Sequence, residues 1–253
     1  MRRCRFVIML PVLAFVLAAA GGAHAQTETP LTTLETAIAC AQPTAADGPR
    51  AHALHVIGAQ DVVPRTLFGS RDLLVLDGGT SAGVQLGQRF FVRRANRFGA
   101  SADEPFHTAV TAALVSIVAV NESTAVANVD HVCGPILQMD YLEVYTRPAV
   151  PEGADRDDAP GEPDFASLGH IVGGDAQRRI VGAGDFALID RGTAQGVAAG
   201  ARYAVYRDVG VPGMPLASIG EAVIISTGQT TALARITKAR DAILSGDYVV
   251  PRK

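Results

Sequence analysis

The chain has 253 residues, with 22 basic and 25 acidic side chains and therefore a net charge of −3. This balance argues against a nucleic-acid partner, because phosphate binding needs clustered Lys and Arg. The length suits two small modules with their connections rather than one.

The first 25 residues have the features of a secretory signal peptide. Three arginines precede an apolar run from Phe6 to Ala20, and small residues follow up to Ala25. We therefore predict cleavage after Ala25 and a periplasmic or secreted protein. An uncleaved anchor is the alternative, but the run is shorter than the ~20 apolar residues that span a bilayer. No later segment has that length, so no transmembrane segment is expected after signal removal.

Residues 26–53 form an N-terminal segment ahead of the first module. Apolar side chains recur there at helical spacing, which predicts a short helix, and they are Leu31, Leu34, Ile38 and Ala41. Two cysteines remain after signal removal, Cys40 and Cys133. In an oxidising compartment such a pair usually forms a disulfide, which would hold the helix to the first module. Two separate thiols are the alternative.

The strongest pattern is an internal repeat. Residues 77–94 read DGGTSAGVQLGQRFFVRR and residues 190–207 read DRGTAQGVAAGARYAVYR, which agree at nine of eighteen positions. The match resumes at residues 123–127 and 230–234, and the first copy has six more residues between its two matched blocks, in a loop. The chain thus carries two copies of one fold.

Each copy alternates apolar residues at period two, which is typical of strands. Asp favours a turn, and glycine accepts positive φ, so the shared D-x-G-T-x-x-G-V-x-x-G indicates a structural turn. Its residues are Asp77, Gly79, Gly83 and Gly87 in the first copy and Asp190, Gly192, Gly196 and Gly200 in the second. We predict a mostly β protein of two tandem small β-barrel modules.

The modules occupy residues 54–147 and 168–253, and residues 148–167 connect them. Four prolines and six acidic residues fall between Pro148 and Asp164, against one arginine. Such a composition buries no core, so we predict a flexible, solvated, acidic and Pro-rich linker.

The turn, the following hairpin, the S/T-T-A-x-A segment and, in the second copy, the terminal G-D-Y-V together resemble the C-terminal domain of the flagellar assembly protein FlgT. The turn alone is also similar to one in the rod-shape protein MreC. This resemblance implies a small β-barrel in an envelope protein. It does not imply flagellar function, because the chain pairs two copies and shows none of the other FlgT domains.

The residues considered for catalysis have simpler explanations. Ser81 satisfies G-x-S-x-G, but a nucleophile elbow needs a helix after the serine, whereas a strand is expected here and Ala194 replaces the serine in the second copy. Asp77 and Asp190 are explained by turn formation. We therefore expect no catalytic residue.

The sequence also gives little support for a metal site. His52, His55, His131 and Cys133 could be drawn as four ligands, but Cys133 has a use in the disulfide. We therefore expect no metal and no cofactor.

Three arginines, Arg93, Arg94 and Arg97, stand at the start of the longer hairpin of the first copy, residues 95–108. Solvated charge is the simpler interpretation. A binding surface, if present, is expected there.

Taken together, the sequence predicts an exported, non-catalytic binding or scaffolding protein of the bacterial cell envelope, contacting a protein partner or a cell-wall polymer. Two modules on one chain can gain avidity from weak contacts. An exported serine hydrolase and a structural subunit of an outer-membrane or appendage assembly are the alternatives.

Overall fold

A computed structural model describes residues 29–41, 54–98, 106–156, 158, 160–175 and 178–253, without the side chains of residues 96–98 and 106–108. The predicted signal peptide, residues 1–25, and His52 lie outside the described residues. The prediction of a mostly β fold with a short N-terminal helix is confirmed.

The helix and the strands are numbered along the chain. Helix α1 spans Thr33–Cys40. The strands of the first copy are β1 Val56–Ala59, β2 Leu67–Phe68, β3 Leu73–Leu76, β4 Arg89–Phe98, β5 Phe106–Val120, β6 Ala125–Val132, β7 Ile136–Leu137 and β8 Tyr141–Val144. Those of the second are β9 Gly169–Gly174, β10 Ile180–Val181, β11 Phe186–Ile189, β12 Arg202–Arg207, β13 Ala217–Thr227, β14 Ala232–Ala239, β15 Ile243–Leu244 and β16 Tyr248–Pro251.

The two copies have one topology. Their strand orders, β1-β3-β6-β5-β4-β8 and β9-β11-β14-β13-β12-β16, correspond strand for strand, and each copy adds a two-stranded ribbon, β2-β7 or β10-β15. The second sheet closes into a barrel because β16 pairs with β9 through two residue pairs. The first is a curled sheet, in which a bridge between His55 and Tyr141 and a hydrogen bond from the Met139 N–H to the Val56 carbonyl join the start of β1 to the residues around the start of β8.

The interior of each sheet is filled by alternate residues of its strands. Ala125, Ala127 and Val129 face the first core at period two, and Ala232, Ala234 and Ile236 repeat this in the second. Their short side chains let opposite walls of a small barrel approach closely.

The second barrel has a second, outer apolar face. Strand β11 is buried at all four positions, Ala187 and Ile189 facing the interior while Phe186 and Leu188 face outward. A strand buried on both faces needs a continuous apolar run rather than alternation, and this explains the sequence Phe-Ala-Leu-Ile. The outer cluster also includes Val223, Ile225 and Leu233.

Helix α1 covers this outer face. Its apolar side chains Leu34, Ala37 and Ile38, with Ala41 just beyond its end, pack against the outer cluster of the second barrel. Ala39, on another side of α1, is buried against Phe91 and Leu114 of the first copy. The helix was predicted to be held to the first module, and it contacts the second as well, because it carries small or apolar residues on two sides.

The Cys40–Cys133 disulfide predicted from the sequence is formed, with the two Cα atoms 5.3 Å apart. It links the end of α1 to the residue after β6. A loop of this size, 93 residues in sequence separation, contributes up to ~4.6 kcal/mol in the chain-entropy treatment.

The connecting segment, predicted to be a solvated linker, makes contacts in its described part. Ala154 is fully buried in the outer cluster, and the carbonyl oxygens of Gly153 and Ala154 accept hydrogen bonds from Arg202 (2.6 Å) and Arg235 (2.8 Å). Further on, the backbone of Glu162 pairs with that of Lys253. The segment therefore lies against the second barrel at these points.

Helix α1 is also fixed at its N-terminus by charge. Thr32 and Glu35 form a capping box, and Glu35 accepts two hydrogen bonds from Arg147 at 2.7 and 2.9 Å. The Arg147 guanidinium, followed by the Thr32 backbone N–H, lowers the pKa of Glu35 from 4.5 to about 2.

A carboxyl group whose pKa is lower in the folded than in the unfolded protein stabilises the fold at any pH above its unfolded-state pKa. This stabilisation is lost as the pH falls from the unfolded-state pKa to the folded-state pKa. We therefore predict that the unfolding temperature of the wild type, compared with Glu35→Gln, declines as the pH falls from 4.5 towards 2. Glutamine keeps the capping box but does not titrate, which makes it a matched control. Thermal unfolding followed by circular dichroism measures this; parallel pH curves for the two proteins would contradict the assignment.

Candidate functional site

Each copy contains a histidine–aspartate pair at the same place. Asp77 and Asp190 each follow a strand, β3 or β11, and accept a hydrogen bond from the backbone N–H of His55 (2.6 Å) or His170 (2.7 Å). The Nδ1 atoms of the two rings lie 3.1 and 2.9 Å from the other carboxylate oxygen. Each carboxylate thus ties two neighbouring strands together.

Sequence reasoning missed these pairs. The signal is present as H-V-I-G from His55 and H-I-V-G from His170. The histidine stands 22 residues before its aspartate in the first copy and 20 in the second. A gapless comparison anchored at the aspartates therefore does not align the histidines.

The turn after each aspartate is attached to the β5–β6 or β13–β14 hairpin. Residues Thr80–Ala82 form one 3-10 turn, and the Thr80 N–H donates to the Asn121 carbonyl at 2.9 Å. A Cβ on Gly79 would overlap that carbonyl, and one on Gly192 would overlap the carbonyl of Gln229. Glycine is needed here for close backbone approach rather than for its φ angle.

The remaining turn glycines need their conformation. Gly83 and Gly87 have φ of 79° and 78°, and Gly196 and Gly200 have 78° and 84°. These left-handed values favour glycine. The side chains of Asp77 and Asp190 contact the histidines rather than the turn, so the turn is shaped by its glycines.

Each copy also contains an arginine–aspartate ion pair, which joins β4 or β12 to the residue just before β8 or β16. Arg94 donates two hydrogen bonds to the Asp140 carboxylate, at 2.7 and 2.8 Å, and Arg207 donates two to the Asp247 carboxylate, at 2.9 and 2.7 Å. The carboxylate of Asp140 is almost fully buried and also accepts from the backbone of Leu137. Arg94, a candidate binding residue from the sequence, is therefore engaged in an internal ion pair.

Arg93 is also engaged inside the protein. It lies 3.1 Å from Glu143 and its guanidinium stands over the Phe91 ring at 4.5 Å. Burial lowers the pKa of this guanidinium, since it disfavours the charged form. The backbone of Arg97 belongs to β4, but its side chain and residues 99–105 of the hairpin lie outside the described residues.

Around the second His–Asp pair the surface is apolar and concave. A cavity of about 600 Å³ is lined there by Val172, Ile180 and Leu244 together with His170 and Asp190, and Arg179 and Ser245 stand on the same wall. Ile180 is 59% exposed and Leu244 36%, which is high for aliphatic side chains.

The first copy has aliphatic residues at the positions that correspond in the repeat. They are Ile57, Leu67 and Leu137, the corresponding pair is His55–Asp77, and Leu67 is 56% exposed. We call these two surfaces the His–Asp faces. Met139 replaces Gly246 at the rim of the first face, and it keeps a positive φ of 70° while 62% exposed. A bulky residue held in that conformation costs free energy and is typical of a functional surface.

Neither serine near these faces forms a catalytic arrangement with a histidine in the described contacts. The Ser81 hydroxyl donates to the Glu122 carbonyl at 2.7 Å, within a turn that leads into a strand. Ser245 lines the same cavity as His170 and Asp190. At its position the first copy has Gln138, although the His–Asp pair is kept.

Of the four residues considered as metal ligands from the sequence, His52 lies outside the described residues, and His131 and Cys133 are brought together. His55 is paired with Asp77, whereas His131 lies beside the Cys40–Cys133 disulfide.

A scan against protein-family models and a search of curated proteins both gave no match to this chain. Among the described residues, no helix combines the length and apolar character that crossing a bilayer requires.

Replacing Arg94 tests whether this side chain stabilises the fold or is available to bind a ligand. Replacing it by alanine leaves the buried Asp140 charge without its partner, so we predict a loss of roughly 3 kcal/mol in unfolding free energy. Arg207→Ala should cost a similar amount through Asp247, since the geometry is repeated. Chemical denaturation measures both; an Arg94→Ala protein as stable as the wild type would contradict the structural role.

Proposed function

We propose that this chain is an exported, non-catalytic binding protein of the bacterial cell envelope, which holds a partner protein against its His–Asp faces. The observation that carries the proposal is the repetition of exposed aliphatic side chains beside a His–Asp pair at the same topological place in both copies. Exposed apolar surface that a fold retains twice is typical of an interaction site.

A protein partner fits these faces better than a cell-wall polymer does. Their walls are aliphatic, with Ile180 and Leu244 in one copy and Leu67 and Leu137 in the other. Sugar rings are commonly held by stacking on flat aromatic side chains, but the chain has no tryptophan and few aromatic residues. Aliphatic walls instead suit the apolar side chains of a polypeptide.

Binding is also a better account of the His–Asp pairs than catalysis. A hydrolytic triad needs a nucleophile beside the histidine. The first copy keeps its His–Asp pair although Gln138 stands at the position of Ser245. The pair there joins two strands without a serine at that position.

Export is proposed from the predicted signal peptide and is compatible with the disulfide, which persists in oxidising compartments. The resemblance to the C-terminal barrel of FlgT supports the same envelope setting. Two faces on one chain give a bivalent binder, which gains affinity when both contact one partner.

The proposal is tested with the purified protein as bait for detergent-solubilised envelope proteins and, separately, for purified cell wall. Ile180→Glu places a charge on the second face, and Leu67→Glu does so on the first. We expect each to lower the recovery of a partner retained by the wild type by at least tenfold, since the loss of an anchor residue commonly costs more than about 1.4 kcal/mol. Val211→Glu, at an exposed apolar residue of the β12–β13 loop, is the matched control and should retain the partner.

Three results would overturn the proposal. One is retention on cell wall alone, and another is a partner held equally by all three variants. The third is an esterase activity of the wild type that Ser245→Ala abolishes.

A further inference from the structure

His131 stands beside the disulfide on the first copy. A ring nitrogen of His131 and the sulfurs of Cys40 and Cys133 all lie within 4.8 Å of one another. Two of these residues are neighbours on one side of the chain, because side chains two positions apart along a strand point the same way. The third is brought from 93 residues away in sequence by α1.

The sulfurs are held near each other by more than their bond. Ala39, next to Cys40, is buried against Phe91 and Leu114. Glu35 is paired with Arg147, and the Thr111 hydroxyl donates to the Ala41 carbonyl at 3.3 Å. These contacts hold the end of α1 against the first copy, and we expect them to persist when the disulfide is broken.

We propose that the reduced protein binds one Cu(I) ion through the thiolates of Cys40 and Cys133 and the imidazole of His131. Thiolates are soft ligands that select Cu(I), and imidazole also suits copper. Zinc binds a set of two thiolates and one imidazole together with water or another fourth ligand, and the described residues offer three ligands here. The ion then replaces the S–S bond as the tether of α1.

The chemistry needs an external dithiol. Its two sulfurs form a disulfide and pass two electrons to the Cys40–Cys133 bond, which breaks, and its two protons end on the released thiols. Cu(I) then displaces those two protons without changing its oxidation state, because only thiolates bind the metal.

The second copy supplies a matched control. Lys238 and Arg240 occupy the positions of His131 and Cys133, and neither is a ligand for soft metals. The site therefore belongs to the first copy alone within the repeat. It is also independent of the His–Asp faces, so it can fail or succeed without the proposed function.

The test uses the full protein, reduced and then freed of reductant under anaerobic conditions. Cu(I) is offered as its bicinchoninate complex, whose colour reports transfer to the protein. We expect the reduced wild type to take up one Cu(I) per chain and the oxidised wild type to take up none. His131→Ala should weaken binding by at least tenfold and Cys133→Ser should abolish it, whereas Lys238→Ala should bind as the wild type does.

A second readout separates a metal site from loosely held copper. Because the ion tethers α1, adding Cu(I) should raise the thermal midpoint of the reduced wild type, and it should leave that of Cys133→Ser unchanged. Zn²⁺ supplied alone should be retained more weakly than Cu(I) by at least tenfold. Equal binding by His131→Ala, equal binding by the oxidised protein, or a preference for Zn²⁺ would each overturn the proposal.

Discussion

The outer apolar face of the second barrel is the constraint on which the described structure depends. Phe186, Leu188 and Val223 point away from the barrel interior and would form an exposed patch if nothing covered them. Burying such side chains contributes about 1.5–3 kcal/mol each. Helix α1 and Ala154 of the connecting segment cover these side chains, and residues from Leu31 to Lys253, which include both copies, form one compact unit.

Helix α1 can do this because it is fixed to the first copy independently. The disulfide at its end and the Glu35–Arg147 pair at its start hold it in place. A free helix of eight residues is not stable in water, so these attachments are what make it available as a cover. The order of dependence runs from the first copy through α1 to the second barrel.

The repeat itself was readable from the sequence because it depends on local backbone requirements. Gly83 and Gly196 are needed for a left-handed turn, and that need is visible as a fixed spacing. The His–Asp pairs were not found, since the spacing of their members differs by two residues between the copies. The packing of α1 on the second barrel was not predicted either. It brings together residues about 150 positions apart, and a single sequence does not indicate which distant residues are in contact.

Amino-acid composition did not predict the contacts of the connecting segment or of the arginines at the start of the long hairpin. An acidic, Pro-rich stretch reads as solvated, yet Arg202 and Arg235 on the second barrel bind its carbonyl groups. Arg93 and Arg94 read as surface charge, yet each has an acidic partner from or next to β8. In both cases the partner that decides the outcome lies far away in the chain.

The coupling of the two copies through α1 can be tested by calorimetric unfolding of the oxidised protein with Ile38→Glu. Ile38 packs on the outer face of the second barrel, whereas Thr33 is exposed on the same helix and gives the control Thr33→Glu. We expect one cooperative transition for the wild type and the control, and two for Ile38→Glu, with the second barrel unfolding at the lower temperature. A single, unshifted transition for Ile38→Glu would contradict it.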